Sequence, residues 1–133
     1  MNVIIVGCGR VGSTLAEQLG QEGNDVTVVD EDGARVQKVL ADNDIMGVIG
    51  NGASHSVLMD AGIEQADLLI AVTDSDELNL LCCLLAKKAG DCQTIARVRN
   101  PVYSQEGEFI KKSLGLSMII NPELAAAAEI ARV

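Results

Sequence analysis

The sequence lacks the features that define several large classes of protein. No apolar run approaches the roughly 18 residues that a membrane-spanning helix requires. The chain passes from Met1-Asn2 directly into a predicted strand without a basic segment, so we also expect no signal peptide. Aromatic residues make up only 2% of the chain, which leaves no stacking platform for single-stranded nucleic acid. The formal net charge of −9 argues against the basic face that nucleic-acid binding requires.

The cysteines form no recognisable framework. The sequence has four of them, with neither C-x-x-C spacing nor the regular spacing of a disulfide-rich domain. Cys82 and Cys83 are neighbours on a predicted helix, where their side chains would point about 100° apart. We therefore predict four reduced thiols in a cytoplasmic protein. A hydrophobic content of 48% in 133 residues is typical of one compact α/β domain, which we expect to span residues 1–133.

A glycine-rich turn near the start of the chain carries the most chemical information. The apolar run 3–6 ends at Gly7, and Gly9 and Gly12 complete the spacing G-x-G-x-x-G before a helical pattern that begins at Val11. Strand, glycine turn and helix in this order are typical of a dinucleotide site. Gly7 permits the tight turn, Gly9 lets the backbone approach a pyrophosphate, and Gly12 lets the helix lie close to the strand. The helix N-terminus would then face the phosphates.

An acidic residue follows the second predicted strand. Asp30 ends a run of β-branched residues roughly 20 residues after the glycine turn, where dinucleotide sites place an acid on the ribose hydroxyls. Glu31 and Asp32 follow directly, and three adjacent acids would repel a ribose 2′-phosphate. These residues favour NAD(H), or an adenine nucleotide with a free 2′-hydroxyl, over NADP(H). The alternative is that Asp30 only caps the next helix.

Apolar runs alternate with helical patterns along the whole chain. This alternation predicts a three-layer, doubly wound Rossmann fold with six parallel strands in the order 3-2-1-4-5-6 and a C-terminal helix. We expect the helix over 123–133 to pack on a partner subunit or to lead into a further domain. The predicted strands cover 3–6, 26–30, 45–49, 66–72, 94–99 and 116–120, and the helices between them begin near 11, 34, 56, 76 and 103.

Polar residues follow the third and fourth strands. The small residues of the loop 50–54 let its backbone pass close to a ligand. His55 comes next, and we interpret it as an exposed loop residue rather than a catalytic base. The fourth strand lies beside the first in a doubly wound sheet, so Thr73 and Asp74 are expected to border the same crevice as the glycine turn. Asp74 and Glu77 also have the spacing of a capping box.

The fifth strand carries two arginines. Period-2 alternation puts Arg97 and Arg99 on one side of this strand. At the carboxyl end of the strand, Arg97 can bind phosphate or pair with Asp30 or Asp74, and the alternative is a solvated edge. Asn100-Pro101 and, later, residues 121–122 are predicted helix starts, each with an Asn cap followed by Pro in the first turn.

These motifs together resemble the nucleotide-binding N-terminal domain of the Trk/Ktr potassium-transport regulators, the family called KTN or RCK. The resemblance covers the whole chain and is far more specific than the glycine spacing alone. The segments that carry it are Gly7-Cys8-Gly9-Arg10-Val11-Gly12, Asp30, the loop 50–53, the stretch 71–79 and the stretch 96–103.

The resemblance implies a cytoplasmic regulatory domain and not an enzyme. It implies binding of NAD(H), or ATP and ADP, and assembly as a dimer and then a ring of identical subunits. The ring would lie peripherally at the inner face of the cell membrane on a potassium-translocating membrane protein, without inserting into the membrane. In this family a smaller C-terminal domain follows, which this chain lacks. The implied cofactor-binding residues are Gly7, Cys8, Gly9, Arg10, Val11, Gly12, Asp30, Asn51, Gly52, Thr73, Asp74 and Arg97.

The resemblance also implies a division of roles among these residues. Residues 7–11 would hold the pyrophosphate, with the charge of Arg10 added, and Arg97 would also serve the phosphates. Asp30 would bind the ribose, and Asn51 and Gly52 would line the adenosine side. The far ribose or the nicotinamide would lie against the loop 73–74.

Two other functions stay open at this point. The chain could be the cofactor-binding part of an NAD-dependent oxidoreductase whose catalytic domain is missing, because Rossmann folds host many functions. Against this, His55 is the single candidate acid–base residue, and the sequence has no Tyr-x-x-x-Lys pattern and no metal-ligand cluster. The chain could also be a structural domain without a ligand, although its polar residues at strand ends argue otherwise. Which of NAD+, NADH, ATP and ADP is physiological is not decided by the sequence.

Overall fold

A computed structural model describes residues 1–121, except for the side chain of Asp42. The helix predicted over 123–133 and the proline of the second predicted helix start lie outside the described residues. The strands are β1 (Asn2–Val6), β2 (Asp25–Asp30), β3 (Met46–Ile49), β4 (Leu68–Ala71), β5 (Gln93–Arg97) and β6 (Met118–Ile120). The helices are α1 (Arg10–Gln21), α2 (Gly33–Asp42), α3 (His55–Asp60), α4 (Asp76–Gly90), α5 (Pro101–Gln105) and α6 (Gly107–Leu114), with a 3-10 turn at Ile63–Gln65.

The six strands form one sheet in the order β3-β2-β1-β4-β5-β6. Every pairing is parallel, and the central strand β1 sets the register, with Ile5 opposite Val28 of β2 and Ile70 of β4. The predicted doubly wound fold and strand order are confirmed. The order reverses between β1 and β4, so a crevice opens at their carboxyl ends, where ligands bind in such sheets.

Helices cover both faces of the sheet, which creates two apolar cores. Successive residues of β1 point to opposite faces, so Val3 and Ile5 enter one core while Ile4 and Val6 enter the other. The first core is closed by α1 and α2, and the second by α3, α4 and α6. This double burial explains why the central strands are almost continuous apolar runs. Within residues 1–121, no helix has both the length and the apolar character needed to cross a membrane.

The structure differs from the predicted elements in the helix that follows β5 and in the end of β5 itself. The helix predicted over 103–114 is two helices, because Glu106 leaves helical geometry (φ −100°, ψ 21°) just before Gly107, a weak helix former. The first of these helices does begin at Asn100-Pro101, where the Asn100 side chain accepts a hydrogen bond from the N–H of Val102. Strand β5 ends at Arg97, before Arg99, because the N–H of Arg99 binds the carboxylate of Asp76.

Candidate functional site

Two glycines of the turn are required by the close approach of β1, α1 and the end of β4. Gly7 has a φ of +108°, and a Cβ there would lie 3.0 Å from the backbone N of Thr73. A Cβ on Gly12 would overlap the carbonyl oxygen of Gly7 and lie 2.8 Å from its carbonyl carbon. The roles predicted for Gly7 in the tight turn and for Gly12 in close helix–strand packing are therefore confirmed by this geometry.

Gly9 has a different environment, open to solvent. It is the N-cap of α1 and provides no side-chain cap, so the N–H groups of the first helical turn have no partner within the helix. A Cβ added to Gly9 would approach only the Nη1 atom of Arg35, at 4.0 Å. No acidic residue lies in the first turn of α1. The positive end of the helix dipole is thus accessible to an anion, and the backbone at Gly9 leaves room for it.

Hydrogen bonds to the side chain of Asp30 connect the glycine turn to the end of β2. Its carboxylate accepts a hydrogen bond from the N–H of Cys8 (2.7 Å) and another from the N–H of Asp32 (2.9 Å). The cap of α2 is Asp32, whose carboxylate accepts from the N–H groups of Ala34 and Arg35. The alternative interpretation of Asp30 as the helix cap is therefore wrong.

Two cavities flank the glycine turn. The first, of about 160 Å³, lies at the switch point between β1 and β4. Acidic side chains and the backbone of glycines line it. The second, of about 760 Å³, lies between α1 and α2 and is lined by Cys8, Gly9 and Arg10 together with Lys38. Neither cavity is lined by Val11, Gly12 or Arg97. The predicted site residues that line the first cavity are Gly7, Asp30, Asn51, Gly52, Thr73 and Asp74.

A buried polar network supports the end of β4. Asn79 is fully buried on α4, and its Oδ1 atom accepts from the N–H (2.8 Å) and the hydroxyl (2.6 Å) of Thr73. Its Nδ2 atom donates to the carbonyls of Thr73 (3.1 Å) and Arg97 (2.9 Å). Arg97 is only 4% exposed and donates from Nη2 to the Thr73 carbonyl at 2.6 Å. The same Nη2 lies 3.6 Å from a carboxylate oxygen of Asp74, one of the pairings predicted for Arg97.

The start of α4 differs from the predicted capping box. Ser75 is the N-cap, and its hydroxyl accepts from the N–H of Leu78 at 3.1 Å. Asp74 projects instead to solvent beside Arg97, with its side chain 84% exposed, so the capping role predicted for it is wrong. The carboxylate of Asp76 accepts from the N–H of Arg99 (3.0 Å) and of Asn100 (2.7 Å), which connects α4 to the start of α5.

Sequence reasoning assigned no role to Arg35 or Asn79. Arg35 lines both cavities and lies 3.7 Å from the carboxylate of Asp32, measured from Nε. Asn79 lies in a stretch that contributed to the family resemblance, but without an assigned role. Spacing rules for dinucleotide sites predict the glycines and the acidic residue that binds the ribose. They make no prediction for these two positions.

The cysteines and the histidine give the site no nucleophile or base. All four cysteines are free and buried, as predicted for thiols. Burial, and then the nearby charge of Asp30, raise the pKa of Cys8 to about 12, so its thiol stays protonated. His55 is exposed at the start of α3 and lines neither cavity. Among residues 1–121, no group of three or more His, Cys, Asp or Glu side chains is arranged to hold a metal ion.

The fold and the crevice define a class of protein. A parallel sheet with a switch point, an open helix N-terminus and a fixed carboxylate at the end of β2 are the features of a Rossmann-type nucleotide-binding fold. The profile of the TrkA-N domain family matches residues 3–122, and the chain belongs to that family. The predicted resemblance is confirmed.

Similar proteins agree with this assignment. The Trk system potassium uptake protein TrkA of Halomonas elongata is 42% identical over 135 residues, which cover 100% of this chain and 30% of that protein. The TrkA-N domain of the inner membrane protein ybaL from Escherichia coli superimposes with a TM-score of 0.85 at 25% identity, covering 98% of this chain and 94% of that one. The structure of the GsuK channel bound to NAD superimposes with a TM-score of 0.76 at 23% identity, covering 90% of this chain and 21% of the channel. This chain thus spans about a third of the length of its TrkA relative.

Proposed function

We propose that this chain is the nucleotide-sensing regulatory domain of a potassium uptake system. The observation that carries the proposal is the uncapped N-terminus of α1 at Gly9, beside the carboxylate of Asp30, in a member of the TrkA-N family. The relatives support the potassium-transport context, since one is described as a potassium uptake protein and one structural neighbour as a channel bound to NAD. The nucleotide is the signal and the membrane protein is the target.

The ligand we propose is NAD(H), or ATP and ADP, with a free ribose 2′-hydroxyl. The first turn of α1 and residues 7–12 would receive the pyrophosphate, and Arg10 would add positive charge. Asp30 would accept the ribose hydroxyls, and Glu31 at the rim would repel a 2′-phosphate. Asn51 and Gly52 would contact the adenosine half.

The opposite wall of the crevice would receive the other half of a dinucleotide. Thr73 and Asp74 would face the second ribose or the nicotinamide. Arg97 lies behind Thr73 and would contribute its positive charge from there.

The target we propose is a potassium-translocating membrane protein that binds a ring of these subunits on its cytoplasmic side. A ligand can shift a ring between two conformations only by its differential affinity for them. We expect residues 122–133 to contribute to the contact between subunits. Size-exclusion chromatography of a chain ending at residue 121 would then show a smaller species than the full chain.

We further propose that the domain performs no chemistry on its nucleotide. Neither cavity beside the glycine turn has a histidine or tyrosine in its wall, and the carboxylate of Asp30 is already bound to the N–H groups of Cys8 and Asp32. A hydride-transfer enzyme needs an acid or base close to the reacting carbon. Incubation of the intact gene product with NADH and candidate oxidants should leave the absorbance at 340 nm constant. Steady turnover would favour the oxidoreductase alternative.

The site assignment is tested by calorimetric titration with NADH of the wild-type chain and of two variants. Gly9→Val should weaken binding at least about tenfold, because its side chain fills the space for the pyrophosphate, whereas within the chain its Cβ would approach only Arg35 Nη1, at 4.0 Å. Asp30→Ala should weaken binding by a similar factor through loss of the ribose acceptor. Asp25→Ala, at the opposite end of β2, is the matched control and should bind as the wild type does. Unchanged affinity in both site variants would contradict the assignment.

A further inference from the structure

Two buried polar side chains lie directly behind the crevice without lining it. Asn79 and Arg97 are both absent from the wall of the 160 Å³ cavity, yet both are directed at Thr73, which does line it. Between them they bind all three polar groups of that residue. The N–H and hydroxyl of Thr73 are held by Asn79 Oδ1, and the carbonyl of Thr73 receives hydrogen bonds from Asn79 Nδ2 and Arg97 Nη2.

The network fixes the orientation of the Thr73 hydroxyl. Its shortest hydrogen bond, at 2.6 Å, is the one donated to Asn79 Oδ1, because an amide oxygen can only accept. The proton of the hydroxyl is therefore directed away from the crevice. The oxygen accepts one hydrogen bond, from the N–H of Ser75 at 3.2 Å, and its second lone pair suits a ligand group that donates, such as a ribose hydroxyl or a carboxamide N–H.

Helix capping does not explain the presence of Asn79. The cap of α4 is Ser75, and Asn79 lies a full turn inside the helix, where an asparagine is a modest helix former. Burying an amide is unfavourable unless its donors and acceptor are all satisfied, and here they are. Such a fully satisfied buried network selects one geometry, in this case that of the ends of β4 and β5.

We propose that Asn79 is a positioning residue that sets the affinity for the second half of a dinucleotide, the ribose and base beyond the pyrophosphate. The proposal rests on the function proposed above. It adds a residue that raises the affinity for dinucleotides without affecting the affinity for mononucleotides. Asn79 acts through Thr73 and does not touch the ligand. The adenosine half would lie against Asp30 and Asn51, whereas the hydrogen bonds of Asn79 go to Thr73 and Arg97, so we expect the network not to contribute to adenosine binding.

The test compares NADH with ADP, which share the adenosine diphosphate and differ in the second half. In Asn79→Asp the Oδ1 acceptor remains, but an oxygen replaces the donor that faces the carbonyls of Thr73 and Arg97. We expect the NADH affinity to fall roughly tenfold and the ADP affinity to stay within about twofold. Thr73→Val, which removes the hydroxyl itself, should show the same selective loss. If Asn79→Asp fails to fold, Asn79→Ala, which removes the amide without placing a charge in the core, decides the result.

Cys83→Ala is the matched control. Cys83 is buried one turn further along the same face of α4 and lines neither cavity, so this variant loses core packing without loss of the network. It should bind both nucleotides as the wild type does. Equal losses for NADH and ADP, or no loss for NADH, would overturn the positioning role. Absence of binding of either nucleotide to the wild-type chain would instead overturn the proposed function, and the positioning role with it.

Discussion

At the scale of single residues, the three glycines of the turn have different structural roles. Gly7 and Gly12 are required by the fold, since a methyl group at either position would collide with backbone atoms. Gly9 is free of such contacts, so packing within the described part of the chain does not require a glycine there. The three positions of the motif all carry glycine, but for different reasons. Two are required by packing within the chain, and one is available for contact with a ligand.

A pair of threonines permits a prediction about buried hydroxyls. The Thr94 hydroxyl is fully buried and has no hydrogen-bond partner within the described part of the chain, whereas the Thr73 hydroxyl is bound to Asn79. Thr94→Val removes an unsatisfied group at nearly constant volume and should raise the free energy of unfolding by about 1 kcal/mol. Thr73→Val should lower it by about 1 kcal/mol. Urea denaturation of both variants checks this, and shifts of equal sign would contradict it.

At the scale of elements, α4 joins the crevice to the core. Near its N-terminus, Ser75 caps the helix, Asp76 binds the start of α5, and Asn79 binds the end of β4. Further along, Cys82 and Cys83 are fully buried in the core under the sheet. One helix thus fixes the polar loops at its N-terminus and anchors them through apolar packing.

The capping of α4 can be measured. Ser75→Ala removes the side-chain acceptor for the N–H of Leu78 and should lower the free energy of unfolding by about 1 kcal/mol. Asp74→Ala removes a 3.6 Å ion pair between an exposed carboxylate and the buried Arg97, which keeps its hydrogen bond to the Thr73 carbonyl, so its effect should stay below about 1 kcal/mol. Thermal and urea unfolding of the two variants compare them directly. A larger loss for Asp74→Ala would restore the capping box that the sequence pattern predicted.

At the scale of the whole molecule, the sheet was predictable and the supporting network was not. All six strands and their order follow from apolar runs separated by helical patterns, because a parallel sheet buries both faces. The glycine turn and Asp30 follow from a known spacing. Ser75, Arg35 and Asn79 could not be derived in this way, since their roles depend on where side chains point at the ends of helices. Periodicity predicts which face of a helix is buried, and it does not predict which loop a buried amide will bind.

Stability against alkali is a property of the whole molecule that follows from its buried thiols. Burial raises the pKa of Cys82 from its ordinary value of 9.0 to about 12, and it also raises the pKa of Cys83 and Cys92. The folded chain keeps these thiols protonated at a pH where the unfolded chain releases their protons. Their contribution to stability is therefore complete below pH 9 and is lost as the pH rises towards 12.

The loss for each such thiol is about 1.4 kcal/mol per pH unit over this window. Urea denaturation between pH 8 and pH 11 should show the fall in the wild-type chain. Cys82→Ala should be less stable at pH 8, because it leaves a cavity, yet its stability should decline less steeply with pH since one fewer buried thiol titrates. Other groups that titrate in this range, such as Tyr103, are common to both chains and cancel in the comparison. Parallel declines in the two chains would show that burial of Cys82 does not contribute to the pH dependence.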